Sequence, residues 1–486
     1  MSSKKKALNG QLNLIDAIED TKVTEEQRRF IEYDGRDSVI LAAVAGSGKT
    51  FSCEKRLKKL IERGVDPKRI IFFSFTRAAT KVLKDRIGND EIKITTIHAF
   101  CSHVLYKADK YKDVTNWMDF VKWYRTEFKP SRYASFEEKE EFYNNIDEMY
   151  SNADNLSSQI TTFKLLKAEG KSGKLPNFFF EYQRFQKETY ARDFSDMLIE
   201  VYELFKKDKW LKMFKGKYDY IFVDEFQDTS PIQLKILLSL NAKYYYLIGD
   251  KFQSIYGYSG ANADQLVNML KSRRKVQEMT LTINFRSDIN IVNNANTYSE
   301  LKALPYSPLP GVVDYEIKTE IQELISIVNK HKETAILVRT NSVIRQLEKE
   351  LLKIKFPIRY TNFITKNDLE IIKKNKMNPI LDRKVKEMLH HFNSISELVS
   401  FIKENENNSN AIETIHKSKG KEYETVVVVN SCAPEILKNN GYNLPAKEQK
   451  KVSFKYESSD RESQNIHYVA VTRPIHNLYY MLWGKI

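Results

Sequence analysis

Short runs of apolar residues recur along the first half of the chain, separated by stretches whose apolar residues fall at helical spacing. These runs are Ser38–Ala43, 70–75, 92–96, 218–224, 244–249 and 279–282. Buried parallel strands form continuous apolar runs because helices cover both faces of their sheet. After the first run, a helix is predicted from Lys49 to about Arg63. The pattern therefore predicts an α/β domain with a doubly wound parallel sheet.

A second series of apolar runs follows after about residue 290, at 334–338, 412–415, 425–430 and 478–482. It predicts a second α/β domain of similar construction. The strand pattern lapses between residues 102 and 190, where the chain is aromatic, charged and helical, and again in the polar stretch 361–410. We therefore predict a first domain of residues 1–101 and 191–287, a helical insertion at 102–190, and a second domain at 288–486 with a short insertion at 361–410.

Composition narrows the class of protein. The 486 residues are 42% hydrophobic and 29% charged, and the chain has a net charge of +14, which favours polyanionic partners. A merely Lys-rich surface would give the same value. Without a run of about 18 apolar residues, or an apolar stretch after the basic start, we expect neither a membrane span nor a secretory signal. The three cysteines lack CxxC spacing, which argues against disulfides or zinc and fits a cytoplasmic location.

The segment Ala43-Val-Ala-Gly-Ser-Gly-Lys-Thr50 follows the first predicted strand and opens the predicted helix. Glycines allow backbone N–H groups to turn toward phosphate, and the start of a helix adds positive partial charge. Lys49 can reach the β- and γ-phosphates, and the Thr50 hydroxyl can bind Mg²⁺. A strict phosphate-loop motif begins with Gly where this chain has Ala43, but the strand–loop–helix context argues against a chance match. The predicted phosphate-binding residues are Ala45, Gly46, Ser47, Gly48, Lys49 and Thr50.

A second acidic motif, Tyr220-Ile-Phe-Val-Asp-Glu-Phe-Gln-Asp-Thr229, places two carboxylates at the end of a predicted strand. That is the sheet edge at which the phosphate loop also lies. We expect Asp224 to hold Mg²⁺ and Glu225 to orient and deprotonate the attacking water. The alternative is an acidic strand end that only caps the next helix. Hydrolysis also needs cations near the γ-phosphate, and Arg286 and Arg473 are candidates that chemistry alone does not single out.

Ten segments occur in the order found in one family. They are the phosphate loop, Phe75-Thr-Arg-Ala-Ala79, Thr96-Ile-His98, Asp193-Phe-Ser-Asp196, Asp224-Glu-Phe-Gln-Asp-Thr229, Gly249-Asp-Lys-Phe-Gln-Ser-Ile-Tyr256, Asn284-Phe-Arg-Ser287, Ile336-Leu-Val-Arg-Thr-Asn341, Thr414-Ile-His-Lys-Ser-Lys-Gly420 with Glu422, and Tyr468-Val-Ala-Val-Thr-Arg473. On these residues the chain resembles the UvrD/Rep/PcrA-like superfamily-1 DNA helicases along nearly its whole length.

The resemblance implies two RecA-like P-loop motor domains that sandwich ATP and Mg²⁺. It implies catalytic roles for Lys49, Glu225, Gln253, Arg286 and Arg473. The two arginines would be arginine fingers at the γ-phosphate, and Gln253 would connect the γ-phosphate to the DNA site.

The resemblance also implies contacts to the nucleoside. Gln27 would read adenine, Phe285 stands at the adenine-stacking Tyr position of the family, and Glu422 would contact the ribose. A local interpretation of Gln27 remains open, because Thr24-Glu-Glu-Gln27 also fits a capping box at a helix start.

For nucleic acid, the resemblance implies aromatic residues on which bases stack and polar histidine contacts. The predicted contacts are Phe75, His98, Tyr256, Tyr258, His416 and Tyr423. Stacking tolerates any base sequence, as a motor requires. The alternative is that these aromatics belong to the core, as most of the 27 Tyr and 27 Phe of the chain would.

Several positions depart from the family pattern. Ser259 follows Tyr258 where the family has Arg, Phe51 follows Lys-Thr where Arg is common, and Lys421 replaces Leu before Glu422. The largest departure is the insertion at 361–410, which is far too short for the regulatory 2B domain of long family members. We therefore expect a compact member of the family.

The predicted function is an ATP-dependent 3′-to-5′ DNA helicase or translocase on single-stranded DNA, with the direction implied by the resemblance alone. Its predicted partners are single-stranded DNA or DNA with a 3′ tail, and a protein such as a nuclease or a replication or repair factor. One alternative is a translocase that strips proteins or powers a partner without unwinding. Another is a nucleotide-switched nucleic-acid-binding scaffold with little turnover.

Overall fold

The computed structural model describes residues 23–131, 133–151, 153–256, 263–374, 379–453 and 460–484. The chain divides into two compact units. The first contains the described residues through Ala43 together with Gly48–Leu281, and the second contains Val44–Ser47 and Thr282 onward. The division falls at residues 281/282, six positions before the predicted boundary. The basic start of the chain and Tyr258 with its neighbour Ser259 lie outside the described residues.

The first unit is built on a parallel sheet of six strands in the order β3-β2-β6-β7-β1-β8. The strands are β1 Ser38–Ala43, β2 Ile70–Phe73, β3 Lys93–Thr95, β6 Tyr220–Asp224, β7 Tyr244–Gly249 and β8 Val276–Leu281. Most of their residues are buried, as the continuous apolar runs predict. Strand β7 lies between β1 and β6, with Val39 opposite Tyr246 on one side and Tyr220 opposite Tyr244 on the other. The predicted doubly wound sheet is confirmed.

The first unit contains helices that cover this sheet and helices of the predicted insertion. They are Glu25–Ile31, Lys49–Glu62, Arg77–Ile87, Ile97–Lys107, Trp117–Glu127, Phe136–Ser151, Ala153–Ala168, Phe179–Glu188, Phe194–Phe205, Asp208–Leu211, Pro231–Ser239 and Ala263–Lys271. Short 3₁₀ turns occur at Pro67–Arg69, Phe226–Asp228 and Lys251–Gln253. The four helices between residues 117 and 188 share an aromatic core of their own, which includes Trp117, Phe120 and Tyr182. A short parallel pair, β4 (Asp113–Val114) with β5 (Ala191–Arg192), joins the two ends of this helical segment.

The second unit contains a parallel sheet of five strands in the order β11-β15-β14-β12-β13. These strands are β11 Val312–Lys318, β12 Thr334–Val338, β13 Ala411–Thr414, β14 Tyr423–Val429 and β15 Pro474–Met481. A separate parallel pair consists of β9 (Ile283–Asn284) and β10 (Leu304–Pro305). The helices are Ile289–Asn296, Ile321–Lys330, Asn341–Lys353, Lys366–Lys373, Pro379–Met388, Ile395–Glu404, Ile415–Ser418, Pro434–Asn439, Ala446–Val452 and Arg461–Val471. The predicted second α/β domain is confirmed.

The short insertion at 361–410 forms helices that pack on the second unit. Phe363, Met388, Leu398 and Ile402 are buried in the same apolar cluster as strands β12 and β14. Its first residues are anchored by the buried carboxylate of Glu348, which accepts hydrogen bonds from the amides of residues 361, 362 and 363. The insertion is therefore part of the core of this unit, although its sequence was interpreted as a polar interruption.

No helix among the described residues is long and apolar enough to cross a membrane. The three cysteines are buried free thiols.

The helix Arg461–Val471 carries a buried histidine, and its titration predicts how stability depends on pH. His467 is fully buried, its Nδ1–H donates to the Ser431 carbonyl (2.9 Å), and burial lowers its pKa to about 3. In the unfolded chain the pKa of histidine is about 6.5. The neutral ring thus stabilises the fold fully above pH 6.5, and this contribution is lost as the pH falls toward 3.

We expect the free energy of unfolding of the second unit to fall by about 3 kcal/mol between pH 7 and pH 4 because of this group. In His467→Leu this part of the pH dependence should disappear, although the variant starts lower at pH 7 because a hydrogen bond is lost. Urea unfolding across this pH range measures it, with the exposed His390→Leu as control. If the free energy of unfolding changed with pH equally in His467→Leu and the wild type, this pH dependence would not come from His467.

Candidate nucleotide and nucleic-acid sites

The phosphate loop has the backbone geometry that anion binding requires. Gly46 and Gly48 have φ angles of 71° and 77°, in the left-handed region that favours glycine. Gly48 is the N-cap of the helix Lys49–Glu62 and, having no side chain, leaves the first amides of that helix for a ligand. A Cβ atom at Gly48 would lie 2.9 Å from Gln27 Nε2. The loop therefore forms a cradle whose shape depends on glycine, as a phosphate site needs.

Gln27 forms the capping box that its sequence allows at the start of the helix Glu25–Ile31. Its Oε1 accepts from the Thr24 amide (3.1 Å), and Thr24 Oγ1 accepts from the Gln27 amide (3.2 Å). The predicted capping box is thereby confirmed. Gln27 is only 3% exposed, and its Nε2 faces Gly48, so the capping box holds it beside the phosphate loop. Capping the helix and reading a base are therefore compatible roles for this residue.

Asp224 and Glu225 stand where strand β6 ends, as predicted. The Glu225 amide donates to Asp224 Oδ1 (3.0 Å), and Glu225 itself has a φ of 53°. A left-handed conformation is uncommon for a residue with a side chain and is found most often where function demands it. The two carboxylates therefore stand at a tight turn at the carboxyl edge of the sheet.

Gln227 holds Glu225 in place, a role that the sequence did not reveal. Its Nε2 donates to Glu225 Oε2 (2.5 Å), and its Oε1 accepts from the Asp250 amide (3.1 Å). Gln227 is fully buried, and a Cβ on Gly249 would lie 2.0 Å from its Oε1. Gly249 is thus required because the glutamine side chain fills the space next to it. The only sequence signal for this role is the place of Gln227 within the acidic motif.

Asp250, directly after β7, connects this pair to the next predicted residue. Gln253 Nε2 donates to Asp250 Oδ2 (3.0 Å), and the Phe252 amide donates to Asp250 Oδ1 (3.0 Å). Burial raises the pKa of Asp250, the nearby Lys49 ammonium acts in the opposite direction, and Glu225 adds to the increase. Because β7 lies between β1 and β6, Lys49, Glu225 and Gln253 are brought to a single charged cluster around Asp250.

Thr50 and Asp224 are the residues that would hold a metal. Among the described residues, no group of three or more His, Cys, Asp or Glu side chains is arranged to hold a metal ion. Mg²⁺ commonly uses only one or two protein ligands and completes its octahedron with phosphate oxygens and water. The donor set here, a hydroxyl and a carboxylate beside a phosphate cradle, therefore fits Mg²⁺ bound together with a nucleotide.

In the second unit, the two predicted arginine fingers lie close to Glu422. Arg286 Nε donates to Glu422 Oε2 (2.9 Å), and its Nη1 donates to the Thr472 carbonyl (3.1 Å). Arg473 is 1% exposed and donates to the carbonyls of Val469 (3.0 Å) and Lys421 (3.2 Å). The residues that follow β13 and those that precede β15 thus hold both guanidinium groups.

Lys421, which stands where the family has Leu, forms an ion pair with the buried carboxylate of Glu413. Its Nζ lies 2.5 Å from Glu413 Oε2, and Glu413, 3% exposed, also accepts from Arg359 Nη2 (2.8 Å) and the Tyr423 hydroxyl (3.0 Å). The segment around Glu422 is therefore anchored on both sides by one carboxylate. Tyr423 is 9% exposed in this arrangement. Its hydroxyl thus has a structural role, and its contact with bases stays a prediction.

Asn284 ties the phosphate loop to the segment that carries Arg286. Its Nδ2 donates to the Ala45 carbonyl (2.9 Å), and its Oδ1 accepts from the amides of Arg286 and Ser287 (both 2.8 Å). The Phe285 amide donates to the Gly46 carbonyl (2.9 Å). Phe285 is 36% exposed, so its ring remains open beside the loop. Phe51, on the phosphate-loop helix, has the Lys55 ammonium 5.7 Å from its ring centre.

Three of the predicted nucleic-acid contacts line a cavity of about 290 Å³ in the first unit. The ring centres of Phe75 and Tyr256 lie 5.0 Å apart, and so do the ring centres of His98 and Phe194. Phe194 is 51% exposed and was not among the predicted contacts, although it lies in a quoted motif. Burial lowers the pKa of His98 to about 4, so it is neutral at pH 7. The cavity is lined by Phe75, His98, Thr115, Asn116, Trp117, Ser157, Ile160, Thr161, Leu165, Tyr182, Asp193, Phe194, Ser195, Leu198, Asp228, Ser230, Gln233 and Tyr256.

Of the remaining predicted contacts, His416 lies in the second unit. His416 is half-buried in the short helix Ile415–Ser418 of the second unit. Tyr258 lies outside the described residues.

Comparison with known proteins agrees with this geometry. The model of the UvrD/REP helicase N-terminal domain matches residues 23–274, and that of the UvrD-like helicase C-terminal domain matches residues 364–484. A probable DNA helicase II homolog of Mycoplasma capricolum is 28% identical over 74% of this chain and 54% of its own length. A putative ATP-dependent DNA helicase of Bacillus subtilis is 28% identical over 69% and 48%, and the ATP-dependent DNA helicase PcrA of Staphylococcus epidermidis is 29% identical over 66% and 48%.

The chain thus spans about half the length of the curated relatives it matches. The N-terminal family model alone covers more than half of the 486 residues. The predicted relationship is confirmed, and the chain belongs to the UvrD/REP helicase family.

Proposed function

We propose that this protein is an ATP-driven motor that translocates 3′ to 5′ along single-stranded DNA and separates strands. The observation that carries the proposal is the short segment 250–256, which links the charged cluster at the phosphate loop to the aromatic cavity. Relatives named as DNA helicases support the choice of DNA, and the direction follows from the family.

The link is continuous along the chain. Gln253 binds Asp250 (3.0 Å), the Ser254 hydroxyl donates to the Gln227 carbonyl (3.0 Å), and Tyr256 packs on Phe75 (5.0 Å). A smaller cavity of about 70 Å³ has both Asp224 and Phe75 in its wall. A change at the nucleotide can therefore reach the aromatic rings through only a few contacts.

At the nucleotide, the chain would supply charge and a base. Lys49 and the amides of the phosphate loop neutralise the phosphates, and Glu225 accepts a proton from the attacking water. The Gln227 amide holds the carboxylate of Glu225 through its Oε2 oxygen. Mg²⁺ held by Thr50 and Asp224 would neutralise charge on the phosphate oxygens. Arg286 and Arg473 would add cations that stabilise the transition state.

At the nucleic acid, exposed rings would bind bases without regard to sequence. Phe75 and Phe194, which line the cavity, are 40% and 51% exposed. Stacking on such rings contributes about 1–3 kcal/mol per base. The net charge of +14 suits the phosphate backbone.

One observation favours a second candidate, a translocase that moves along DNA or powers a protein partner without unwinding. Residues 361–410 form short helices whose apolar side chains are buried in the core of the second unit. The described part of this segment is therefore built into the core of the second unit and forms no separate module for engaging duplex. A nuclease or a replication or repair factor would then complete the machine.

The proposal predicts that single-stranded DNA strongly stimulates steady-state ATP hydrolysis, whereas blunt duplex and RNA do not. Phe75→Ala should weaken strand affinity by about 1–3 kcal/mol, which raises the DNA concentration needed for stimulation. The exposed Phe180→Ala, on a helix of the insertion, is the matched control.

If no nucleic acid changes the ATPase rate, this prediction is wrong and the nucleotide-switched scaffold is favoured. Forked substrates then separate the two motor candidates. Unwinding of a fork with a 3′ tail, but not a 5′ tail, supports the helicase, and displacement of a bound protein without unwinding supports the translocase.

A further inference from the structure

A second exposed aromatic side chain lies next to Phe285. The parallel pairing of β9 with β10 continues through a hydrogen bond from the Tyr306 amide to the Asn284 carbonyl (2.9 Å). It brings the Tyr306 ring to 5.0 Å from the Phe285 ring, with an angle of 46° between the planes. Tyr306 is 68% exposed and Phe285 36% exposed. Together the two rings form an open aromatic surface on the second unit.

The fold does not need the Tyr306 ring to hold this segment. Backbone hydrogen bonds from Leu304 to the Thr282 carbonyl (2.8 Å) and from Tyr306 to the Asn284 carbonyl already fix it. Most of the Tyr306 side chain is in solvent, where an aromatic ring gains little from packing. An exposed pair of neighbouring rings is a feature that binding surfaces share.

The aromatic surface is connected to the phosphate loop by hydrogen bonds. The Phe285 amide donates to the Gly46 carbonyl of the phosphate loop (2.9 Å), and the Asn284 side chain donates to the Ala45 carbonyl (2.9 Å). The ring pair is thus tied through two hydrogen bonds to the loop in which the nucleotide phosphates are expected. The other end of such a ligand is a flat, aromatic base, which is the chemistry that this surface fits.

We propose that Tyr306 is a nucleobase-contacting residue that, with Phe285, binds the purine of ATP and helps select it. The inference rests on the proposed nucleotide function and adds a residue to that site. Stacking supplies affinity for any base and more for the larger purine rings. The Tyr306 hydroxyl adds a group that can donate or accept a hydrogen bond, which Phe285 lacks.

The experiment compares ATP with a ligand that has no base. Equilibrium titration by calorimetry is performed with ATP, CTP and inorganic tripolyphosphate, each with Mg²⁺, on the wild type, Tyr306→Ala and Tyr306→Phe. The control is Tyr106→Ala, which removes a tyrosine that is 70% exposed in the first unit. We expect Tyr306→Ala to weaken ATP binding about five- to tenfold, to leave tripolyphosphate binding unchanged and to reduce the preference for ATP over CTP. Tyr306→Phe should retain most of the ATP affinity.

Each contrary result has a distinct meaning. ATP affinity equal in Tyr306→Ala and the wild type overturns the proposal, as does an equal weakening for ATP and tripolyphosphate. A loss in Tyr306→Phe as large as in Tyr306→Ala would overturn stacking as the mode of contact. If the wild type bound neither ATP nor tripolyphosphate, the proposed nucleotide function itself would be wrong.

Discussion

Replacing Glu225 with glutamine is expected to lower steady-state ATP turnover by about two to four orders of magnitude, with ATP and single-strand affinity within a few-fold of wild type. Glutamine keeps the size of the side chain and can still accept the hydrogen bond from Gln227 Nε2 (2.5 Å). The amide has no basic oxygen to take the proton of the attacking water. The substitution therefore removes the proposed chemistry and leaves its surroundings in place.

Rapid measurement of a single turnover tests this directly, because it separates the chemical step from product release. ATP binding is titrated in parallel, so that a lost site is not mistaken for a lost base. The control is Glu62→Gln at the other end of the phosphate-loop helix, which makes the same change in charge at a side chain that is 64% exposed. If Glu225→Gln still hydrolysed ATP at the rate of Glu62→Gln, the general base would have to be another group.

The sequence predicted the inner strands well and an edge strand not at all. Ser38–Ala43, Tyr244–Gly249 and Thr334–Val338 were predicted to the residue because both faces of each are buried and their apolar runs are unbroken. Strand β11, Val312–Lys318, was missed. It lies at the edge of its sheet, where apolar residues alternate with charged ones such as Glu316, so it lacks the continuous apolar run that marks the inner strands.

The helices of the insertion at 361–410 were not predicted, for a related reason. Its helices are short, and the helix Ile395–Glu404 buries only a narrow stripe, Leu398 and Ile402, in the core. Over a short window the polar residues and the asparagines near residue 408 outweigh that stripe.

Within the candidate site, the motif residues could be named from sequence but their supports could not. Asp224 and Glu225 were found because parallel strands end at one edge of a sheet. Gln227, Asn284 and Glu413 act on partners that become neighbours only through the strand order, and a single sequence does not provide that order. Similarly, nothing local shows that Tyr423 points to a buried carboxylate.

Lys164→Met should strongly destabilise the first unit, with an expected loss of about 3–5 kcal/mol in its free energy of unfolding at pH 7. The ammonium of Lys164, which is 8% exposed, donates to Asp193 (2.8 Å), Asp196 (2.8 Å) and Gln186 (2.9 Å). It joins a helix of the insertion to the helix Phe194–Phe205, whose capping box is formed by the same two aspartates. Without the cation, two partly buried carboxylates remain next to each other with no compensating charge.

The effect should depend on pH. Burial opposes the ionised form of Asp193, but Lys164 and the hydrogen bonds from Ser195 and the Asp196 amide outweigh it and lower its pKa. Burial and the charge of Asp193 raise the pKa of Asp196. Removing the ammonium should raise the pKa of both groups in the folded state. The penalty is therefore largest at neutral pH and shrinks as the pH falls toward about 4, where both carboxyls can be protonated.

Urea unfolding of Lys164→Met at pH 7 and pH 5 measures this penalty against Lys167→Met, an exposed lysine one turn further along the same helix. A triple variant that adds Asp193→Asn and Asp196→Asn should recover much of the loss, because amides can still cap the helix and carry no charge. A penalty within about 1 kcal/mol of Lys167→Met would mean that water or neighbouring dipoles solvate the two carboxylates. Since Phe194 starts the capped helix, the same variant should also bind single-stranded DNA less tightly, and recovery of that affinity in the triple variant would link the buried ion pairs to the proposed nucleic-acid surface.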